Sequence, residues 1–467
     1  MRLIGTGAMG VLFVLAGLLL GVRVAFAAPE HPNVIIIFCD DLGYNDIGPF
    51  GSTKHRTPNL DRMAKQGRRF TDFYVSSGVC SPSRSSLMTG CYPRRVGLHL
   101  NDEGKWVLFP GNKRGLNPEE ITIADLLKPL GYATACVGKW HLGDQPEFLP
   151  TRQGFDTYFG IPFSNDMGLW KPERGYPPLP LMRQEKVIET EPDQGELTKR
   201  YTEEAVRFIG ERKDGPFFLY FPHTMPHAPQ AASKDFLGKS ANGRWGDAVE
   251  EIDWSTGVLL DTLEKLDIAD RTLVIFTSDN GGAVRWGASN KPLRGGKGGT
   301  WEGGHRVPMI AWWPGEIPAG TTCSEMATTM DLLPTIADLT GAMMPSDRII
   351  DGKDIWPLLA GKPGAKTPHE AYFYYYRDQL DAVRSGDWKL FVNRGNKMRA
   401  KPMPAELYHL RDDIGETTNV AAKHPDVVAQ LKSLLDQCRQ DLGDGAREGE
   451  GTRKPGHVED AKTLTSH

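Results

Sequence analysis

Three short apolar runs in this chain each end abruptly in polar residues. They are Asn33–Cys39, Pro216–Phe221 and Thr272–Ser278. Because the runs are continuous rather than alternating, each is predicted to be a strand buried on both faces of a parallel sheet. The polar residues that follow are expected at the carboxyl edge of that sheet, where ligands bind in open α/β folds.

Between these runs, apolar residues recur with the period of an α-helix. The two apolar stripes comprise Leu197, Tyr201, Ala205, Phe208 and Ile209, and then Val249, Ile252, Leu259, Leu260, Leu263 and Leu266. Strands that alternate with helices are typical of an α/β domain. We therefore predict such a domain over residues 28–345, with helices covering a mostly parallel sheet.

The pattern changes after residue 345. Tyr372–Tyr376 and Trp388–Val392 are predicted to be short strands, and Val427–Cys438 a closing helix. Residues 346–442 are therefore predicted to form a smaller α+β subdomain with an antiparallel sheet and one helix. Residues 443–467 are polar and glycine-rich, which predicts a disordered tail.

Residues 1–27 have the pattern of a secretory signal peptide. An apolar stretch over 11–20 follows Arg2, and small residues stand at Ala25 and Ala27. The alternative is a transmembrane anchor, but the apolar stretch is shorter than the roughly 20 residues that a span needs. We expect a secreted or periplasmic protein without a stable membrane anchor.

Composition and charge exclude several classes of protein. The chain has 467 residues, with 55 Lys and Arg against 59 Asp and Glu, a formal net charge of −4, and 39% hydrophobic residues. These values exclude disorder as the main state, and the absence of a basic stripe argues against nucleic-acid binding. The six cysteines show neither a disulfide framework nor the CxxC spacing of a zinc site.

Two of the predicted strands end in acidic or amide side chains. Asp40 and Asp41 follow the first strand, and Asp279 and Asn280 follow the last. Carboxylates gathered at one edge repel one another unless a cation lies among them, and oxygen ligands suit Ca²⁺ or Mg²⁺. The alternative is that each Asp merely caps a turn.

Cys80 precedes Ser81, a good helix N-cap, and Pro82, a good first helical residue. The cysteine is therefore expected beside a helix N-terminus, which favours anions such as phosphate or sulfate, and Arg84 adds a charged donor fork. The alternative is a buried thiol with no chemical role.

Further basic side chains could join this edge of the sheet. Lys139 and His141 would face the same side of an extended segment, although both could simply be exposed. Lys297 lies in a glycine-rich segment that allows close approach to an anion, or forms a flexible surface loop. His223 and His227 are both candidates for a general acid, and spacing alone does not choose between them.

The run Cys80-Ser81-Pro82-Ser83-Arg84, continued by Leu87-Met88-Thr89-Gly90, resembles the signature of the type I sulfatases. In that family the cysteine is oxidised to formylglycine. Further segments match the family along nearly the whole chain. They are Asp40-Asp41-Leu42-Gly43, Gly138-Lys139-Trp140-His141, Gly154-Phe155-Asp156, Thr277-Ser278-Asp279-Asn280-Gly281 and Glu302-Gly303-Gly304.

The resemblance implies an alkaline-phosphatase-like fold, a large mixed, mostly parallel sheet flanked by helices with a smaller C-terminal subdomain. It places a metal ion, usually Ca²⁺ and less often Mg²⁺, on Asp40, Asp41, Asp279, Asn280 and the formylglycine made from Cys80. The hydrated aldehyde would attack sulfur and form a covalent sulfoenzyme, with Asp279 as candidate base.

The resemblance also assigns roles to the remaining candidates. Arg84 and His141 would hold the nucleophile, and Lys139 and Lys297 would neutralise the sulfuryl oxygens. The family's His-x-Pro motif selects His227 over His223 as the acid for the leaving alcohol. Ser164 resembles a serine near the sulfate site of arylsulfatase A.

Within the family, the chain is similar to the branch of arylsulfatase A and N-acetylgalactosamine-6-sulfatase. The expected substrate is thus a sulfated carbohydrate or an aryl sulfate, and the expected maturation partner is a formylglycine-generating enzyme. Two alternatives remain at this point. One is a phosphate or phosphonate monoester hydrolase of the same superfamily, and the other a non-catalytic binder of sulfated glycans.

Overall fold

The computed structural model of the protein describes residues 31–393 and 404–464. The signal peptide predicted over residues 1–27 lies outside the described residues. In chain order the strands are β1 (Asn33–Cys39), β2 (Arg68–Tyr74), β3 (Arg114–Gly115), β4 (Ala133–Val137), β5 (Thr157–Gly160), β6 (Pro180–Arg183), β7 (Lys186–Thr190), β8 (Phe217–Pro222), β9 (Thr272–Ser278), β10 (Arg306–Trp312), β11 (Thr321–Cys323), β12 (Ala327–Thr328), β13 (Tyr372–Tyr376), β14 (Gln379–Ser385), β15 (Trp388–Phe391), β16 (Glu406–His409), β17 (Gly443–Asp444), β18 (Arg447–Glu448) and β19 (Gly456–His457).

The helices include the two that the apolar stripes predict, now α4 and α5. The α-helices are α1 (Pro58–Gln66), α2 (Cys80–Thr89), α3 (Ile123–Leu127), α4 (Leu197–Arg212), α5 (Gly243–Lys265), α6 (Glu302–His305), α7 (Leu332–Thr340), α8 (Trp356–Leu359) and α9 (Pro425–Asp441). Pro58 and Pro425 occupy the first turns of α1 and α9, where a missing N–H leaves no bond unmade. Within the described chain, no helix is both long and apolar enough to cross a bilayer.

One large sheet organises the molecule. Among the described residues it has eleven strands in the order β11-β2-β10-β9-β1-β8-β4-β5-β6-β7, with β12 beside β2. Its centre, β9-β1-β8-β4-β5, is parallel, whereas β10, β6 and β7 run antiparallel to their neighbours. The prediction of a mixed, mostly parallel sheet is confirmed.

The centre of the sheet is buried on both faces, as the continuous apolar runs predict. Along β1, Val34, Ile36 and Phe38 pack into the core beneath α2, α3 and α7. Ile35 and Ile37 point the other way, into the core beneath α1, α4 and α5. The period of two sends successive side chains to opposite faces, so both faces need helices to exclude water.

A second sheet, antiparallel and in the order β13-β14-β15-β16, forms the C-terminal subdomain with α9. The predicted strand Tyr372–Tyr376 is confirmed, the strand predicted to reach Val392 ends at Phe391, and the closing helix is longer than predicted. Tyr74 of the large sheet joins the subdomain's core, so the two parts share apolar packing. The domain boundary near residue 345 stays a prediction.

The disordered tail predicted from residue 443 is wrong for residues 443–464. β17 pairs with β18, and β19 pairs with β3 of the large domain. Arg453 donates its backbone N–H to the carbonyl of Arg95 and its Nε to Glu120 Oε1 at 2.7 Å. The segment is held by backbone hydrogen bonds and ion pairs rather than by apolar burial, so its polar composition suggested disorder.

Candidate active site

The carboxyl ends of β9, β1, β8 and β4 lie side by side in the sheet. Cys39 at the end of β1 is aligned with Ser278 at the end of β9, which brings the two predicted acidic pairs to the same level. The segments after β8 and β4 carry His227 and Lys139 to the same edge. The structure therefore gathers the residues that the sequence analysis selected from distant parts of the chain.

Three buried carboxylates at this edge each contact a basic side chain. Lys139 Nζ donates to Asp40 Oδ2, Arg84 Nη2 donates to Asp279 Oδ2 at 2.8 Å, and Lys297 Nζ lies 2.6 Å from Asp41 Oδ1. Because these charges are withdrawn from water, each carboxylate needs such a partner, and loss of one would leave an uncompensated charge.

The pKa values of the two strand-end aspartates move in opposite directions. Burial raises the pKa of Asp279 and the nearby Asp40 carboxylate raises it further. Burial also opposes ionisation of Asp40, but Lys139, His227 and Arg84 hold its pKa well below its usual range. Asp40 is therefore readily ionised, whereas the positive charge near Asp279 does not offset the effects of its burial and of Asp40.

The donor set fits a hard cation. Asn280 donates from Nδ2 to Asp41 Oδ1 at 2.8 Å, while its own Oδ1 is buried and has no hydrogen-bond partner among the residues that the structure describes. Ligand atoms of Asp40, Asp41, Cys80 and His227 lie within 4.8 Å of one another. An orphaned amide oxygen beside several carboxylates is the environment that an oxygen-coordinated ion such as Ca²⁺ or Mg²⁺ would complete.

Cys80 lies at the start of α2, a helix whose residues are all buried. Its Sγ is 3.4 Å from Asp40 Oδ1 and 3.7 Å from Lys297 Nζ, and burial raises the pKa of the thiol. The helix begins two residues earlier than predicted, at Cys80 rather than Pro82, with Val79 rather than Ser81 at the N-cap. Ser81 instead accepts a hydrogen bond from the backbone N–H of Leu108 at 3.2 Å.

Lys139 and His141 both reach the site from an irregular segment that follows β4. His141 has a left-handed backbone with φ of 60°, and its Nε2 lies 3.0 Å from the carbonyl oxygen of Leu108. Lys139 is fully buried, and its Nζ also donates to Ser164 Oγ at 3.0 Å. Its backbone carbonyl accepts from Arg84 Nη1 at 3.0 Å, so the two cations are fixed relative to each other.

The environment of His227 defines its tautomer. Nδ1 lies 3.0 Å from Asn165 Oδ1 and 2.7 Å from the carbonyl oxygen of Ala228, and both are acceptors. Nδ1 therefore carries the hydrogen of the neutral ring, which leaves Nε2 facing Asp41 Oδ2 at 3.8 Å. Asn165 donates in turn to Gln194 Oε1 at 2.9 Å, which fixes its amide orientation.

Sequence reasoning missed Asn165 and Gln194. The available signal was the position of Asn165, directly after Ser164 and just beyond a strand that ends at the same edge. The other histidine candidate, His223, is fully buried, its ring packs 4.5 Å from that of Phe221, and neither ring nitrogen has a partner within the described structure. Burial lowers the pKa of His223 to about 3.

The loop that carries Lys297 is anchored by the C-terminal subdomain. Lys389 of β15 donates to the carbonyl of Thr300 at 2.8 Å and to Glu302 Oε1 at 2.9 Å, and it lies 2.8 Å from Glu416 Oε1. All three charged side chains are buried. Sequence patterns could not show the contacts of Lys389 with Thr300 and Glu302, because these residues lie more than 80 positions from it.

A cleft of about 360 Å³ opens above these groups. Of the candidates predicted from sequence, those lining it are Asp41, Cys80, His141, Ser164, His227 and Lys297. Asp40, Arg84, Lys139, Asp279 and Asn280 lie beneath, within the buried charge cluster. The cleft is large enough for a small anionic ester. It is lined by the thiol at the start of α2, by several cations and by the oriented imidazole of His227.

Comparison with known proteins assigns this site to a family. The Sulfatase family model matches residues 32–342, and that of the N-sulphoglucosamine sulphohydrolase C-terminal region matches residues 297–441. Arylsulfatase A of Homo sapiens is 40% identical, covering 89% of each chain. N-acetylgalactosamine-6-sulfatase of Canis lupus familiaris is 41% identical, covering 78% of this chain and 72% of that protein.

Solved structures agree with the sequence comparisons. A sulfatase from Pseudoalteromonas sp. superposes with a TM-score of 0.78 at 29% identity, covering 87% of this chain and 89% of the other. Fold, site residues and sequence similarity therefore converge, and the resemblance first seen around Cys80 is confirmed. The chain belongs to the sulfatase family, a family of sulfuric ester hydrolases.

Proposed function

We propose that the protein hydrolyses sulfate esters with a formylglycine made from Cys80 and a bound calcium ion. The observation that carries this proposal is the placement of Cys80 Sγ between Asp40 Oδ1 at 3.4 Å and Lys297 Nζ at 3.7 Å. A nucleophile formed there would meet a sulfate group already surrounded by positive charge.

The chain's own cations are suited to bind the sulfuryl group. Lys297 lines the cleft, and Lys139 lies beneath it with Ser164 as its hydrogen-bonding partner. As the ester bond breaks, negative charge grows on the sulfuryl and leaving oxygens, and fixed cations in a site shielded from water stabilise that charge. Ser164 can donate its hydroxyl hydrogen to a sulfate oxygen, because Lys139 already donates to its Oγ.

The metal would be held by Asp40, Asp41, Asp279 and Asn280. When bound, it would supply positive charge that favours ionisation of the nucleophilic hydroxyl. An all-oxygen set from irregular strand ends favours Ca²⁺, which accepts variable geometry, over Mg²⁺, which demands a near-ideal octahedron. The unpartnered Asn280 Oδ1 supports this assignment.

Formylglycine at position 80, once hydrated, would supply the hydroxyl nucleophile that a thiol cannot replace. Arg84 and His141 would hold this group, and Asp279, which accepts from Arg84 at 2.8 Å, is the candidate base. His227 would protonate the leaving alcohol through Nε2, since its Nδ1 is committed to Asn165 and Ala228. The negative charge of a bound sulfate favours the imidazolium that this role needs.

The decisive experiment joins peptide mass spectrometry at position 80 with sulfate release. Protein with verified formylglycine should release sulfate, whereas unconverted protein and Cys80→Ala should lose at least about a thousandfold of this activity. Phosphate esters of the same alcohols serve as the comparison for a monoester hydrolase. Normal sulfate release by protein that contains only unmodified Cys80 would overturn the proposal.

Calcium has a readout that does not need activity. Adding Ca²⁺ to chelator-treated protein should raise its melting temperature, because an ion that binds only the folded state stabilises it. Asn280→Leu removes the orphaned oxygen and should weaken the Ca²⁺ dependence roughly tenfold or more. An equal response to Ca²⁺ in Asn280→Leu would remove Asn280 from the ligand set.

The substrate is proposed from the named relatives. A sulfated sugar of the N-acetylgalactosamine 6-sulfate type is the first candidate, and an aryl sulfate is the second. Sulfate release from galactosamine 6-sulfate, galactosamine 4-sulfate and glucosamine 6-sulfate derivatives would rank them. We also propose export directed by residues 1–27 and maturation by a formylglycine-generating enzyme.

A further inference from the structure

The mouth of the cleft carries three pairs of a tryptophan and a cation, drawn from four separate segments. Lys171 Nζ lies 4.4 Å from the ring centre of Trp170. Arg285 lies 5.6 Å from that of Trp286. Arg377 lies 6.0 Å from that of Trp106. All six side chains line the cleft that contains Cys80.

Two of the tryptophans form one exposed aromatic patch. The Trp170 and Trp286 rings lie 6.4 Å apart, and each residue is 38% exposed. They come from the segments after β5 and β9, both of which leave the sheet at the edge that carries the catalytic candidates. Large aromatic side chains left in water beside a cleft that contains charged side chains are typical of a binding surface rather than of a core.

The third pair joins Arg377, in the turn between β13 and β14 of the C-terminal subdomain, to Trp106, in the segment between α2 and β3. Trp106 packs against Tyr376 with ring centres 4.7 Å apart. Arg377 has a left-handed backbone with φ of 60°, and its Nε is buried without a hydrogen-bond partner among the described residues. The subdomain therefore contributes directly to the cleft, through a cation with an unpaired Nε.

Three of the cations at the mouth lack an acidic partner within the described part of the chain. Arg174 is paired, since it lies 3.2 Å from Asp166. Within the described residues, Lys171, Arg285 and Arg377 form no salt bridge, although the chain as a whole has a net charge of −4. Unpaired positive charge around a cleft concentrates anions there.

We propose that this mouth binds further units of a sulfated oligosaccharide that carries at least one anionic group besides the sulfate being cleaved. Sugar rings would stack on the tryptophans, and the additional sulfate or carboxylate groups would pair with the neighbouring cations. An aryl sulfate offers only one charge and would leave most of these groups unused. The inference rests on the proposed function, since it assumes that Cys80 marks the reacting end of the cleft.

Binding can be tested separately from catalysis by using Cys80→Ala protein. The probes are galactosamine 6-sulfate and the tetrasaccharides of chondroitin sulfate, heparan sulfate and carrageenan, with a desulfated form of each tetrasaccharide. At least one sulfated tetrasaccharide should bind about tenfold more tightly than the monosaccharide, and its desulfated form should not. High salt should remove most of this advantage, because it screens charges near the surface.

Three substitutions in the Cys80→Ala background test the mouth itself. Trp286→Ala, Arg285→Gln and Arg377→Gln should each weaken tetrasaccharide binding roughly five- to tenfold, and monosaccharide binding by much less. Arg212→Gln removes the same charge from an exposed position at the end of α4, where the chain enters the amino end of β8, and should leave the ratio unchanged. Melting temperatures within a few degrees of the parent show that each variant is folded.

The proposal is overturned if no sulfated tetrasaccharide outbinds the monosaccharide, or if the three substitutions weaken both ligands equally. Failure of the proposed function has a different signature. In that case formylglycine-containing protein releases no sulfate from any substrate, whatever the binding of tetrasaccharides to Cys80→Ala.

Discussion

At the scale of single residues, Asn165 determines what His227 can do. It accepts from Nδ1 of the ring and is itself oriented by Gln194, so Nε2 is the nitrogen left for the substrate. A histidine without this contact would sample both tautomers and several ring orientations, and only some would present Nε2 to the leaving oxygen. If His227 is the acid, as we propose, Asn165 is a positioning residue, since it acts through His227.

We expect Asn165→Leu to lower kcat for sulfate ester hydrolysis about tenfold while changing KM less than twofold. Asn165→Asp keeps an acceptor oxygen opposite Nδ1 and should recover most of the loss. Steady-state kinetics of the two variants provide the measurement. Equal losses in both, or a loss confined to KM, would show that the contact with Nδ1 is not what matters.

The buried side chain of His305 makes the stability of the fold depend on pH. Its Nδ1 lies 3.0 Å from the carbonyl oxygen of Val75 and 2.8 Å from the hydroxyl of Tyr372, and burial lowers its pKa to about 3. In the unfolded chain a histidine has a pKa near 6.5, so the unfolded state binds more protons in mild acid. The stability contributed by neutral His305 is therefore complete above pH 6.5 and declines as the pH falls towards 3.

Between pH 7 and pH 5, this residue should cost the protein about 2 kcal/mol of unfolding free energy. His305→Asn retains a donor but does not titrate, so its unfolding free energy should fall less over that interval. Urea denaturation at the two pH values gives the comparison, with exposed His457→Asn as control. If His305→Asn and the parent lose the same stability, acid sensitivity must arise at other groups.

At the scale of elements, α6 is joined to the C-terminal sheet by a buried charge network. Lys389 lies between Glu302 and Glu416. Burial opposes ionisation of Glu302, yet Lys389 and nearby arginines hold its pKa low. Burial raises the pKa of Glu416 to about 7. The network also reaches Thr300, so it fixes the loop between Lys297 and α6.

Lys389→Met should destabilise the protein by about 3–5 kcal/mol, because it leaves buried carboxylates without their cation. Lys366→Met is the matched control, since it breaks an exposed pair with Glu325 and should cost about 1 kcal/mol or less. Chemical denaturation measures both values. A loss at Lys389 no greater than that at Lys366 would mean that the network contributes little to stability.

An element can be predicted from the sequence where a local pattern determines it, and less well where a contact with a distant segment determines it. β1 and β9 are predicted to the residue, because strands buried on both faces are continuous apolar runs bounded by polar residues. The start of α2 is displaced by two residues, because Ser81 meets the Leu108 backbone in the fold rather than capping its own helix. Local propensity cannot register a partner that arrives from another segment.

The site residues also divide into those with a local sequence pattern and those without one. The acidic strand ends and the cysteine before a helix have local patterns, and the resemblance gave them roles. Asn165, Arg377 and Lys389 have no such pattern, since each matters through a residue distant in sequence. The roles proposed for them could be inferred only from the fold, which brings those partners together.

At the scale of the whole molecule, residues 443–464 join the C-terminal subdomain to the large domain. Arg453 pairs with the buried carboxylate of Glu120, and β19 hydrogen-bonds to β3. Gly449 has no room for a side chain, because a Cβ there would lie 2.1 Å from the carbonyl oxygen of Asp441. The segment is therefore shaped to follow the surface of the core.

Arg453→Met should lower the unfolding free energy by about 2–3 kcal/mol, because Glu120 is buried and loses its closest cation. Arg447→Met is the matched control in the same segment, with an exposed side chain, and should change stability by less than about 0.5 kcal/mol. Limited proteolysis should also cut the Arg453→Met protein earlier within residues 443–464. Equal stability of the two variants would contradict an anchoring role.

The burial of Cys80 sets an order of events. The residue is 2% exposed and begins a helix with no exposed position, so another enzyme cannot reach its sulfur in the folded protein. The proposed oxidation must then take place on an unfolded chain and compete with folding. The yield of active protein then depends on the rate of oxidation at Cys80 relative to the rate of folding. A molecule that folds first stays unconverted and inactive, and conditions that delay folding increase the active fraction.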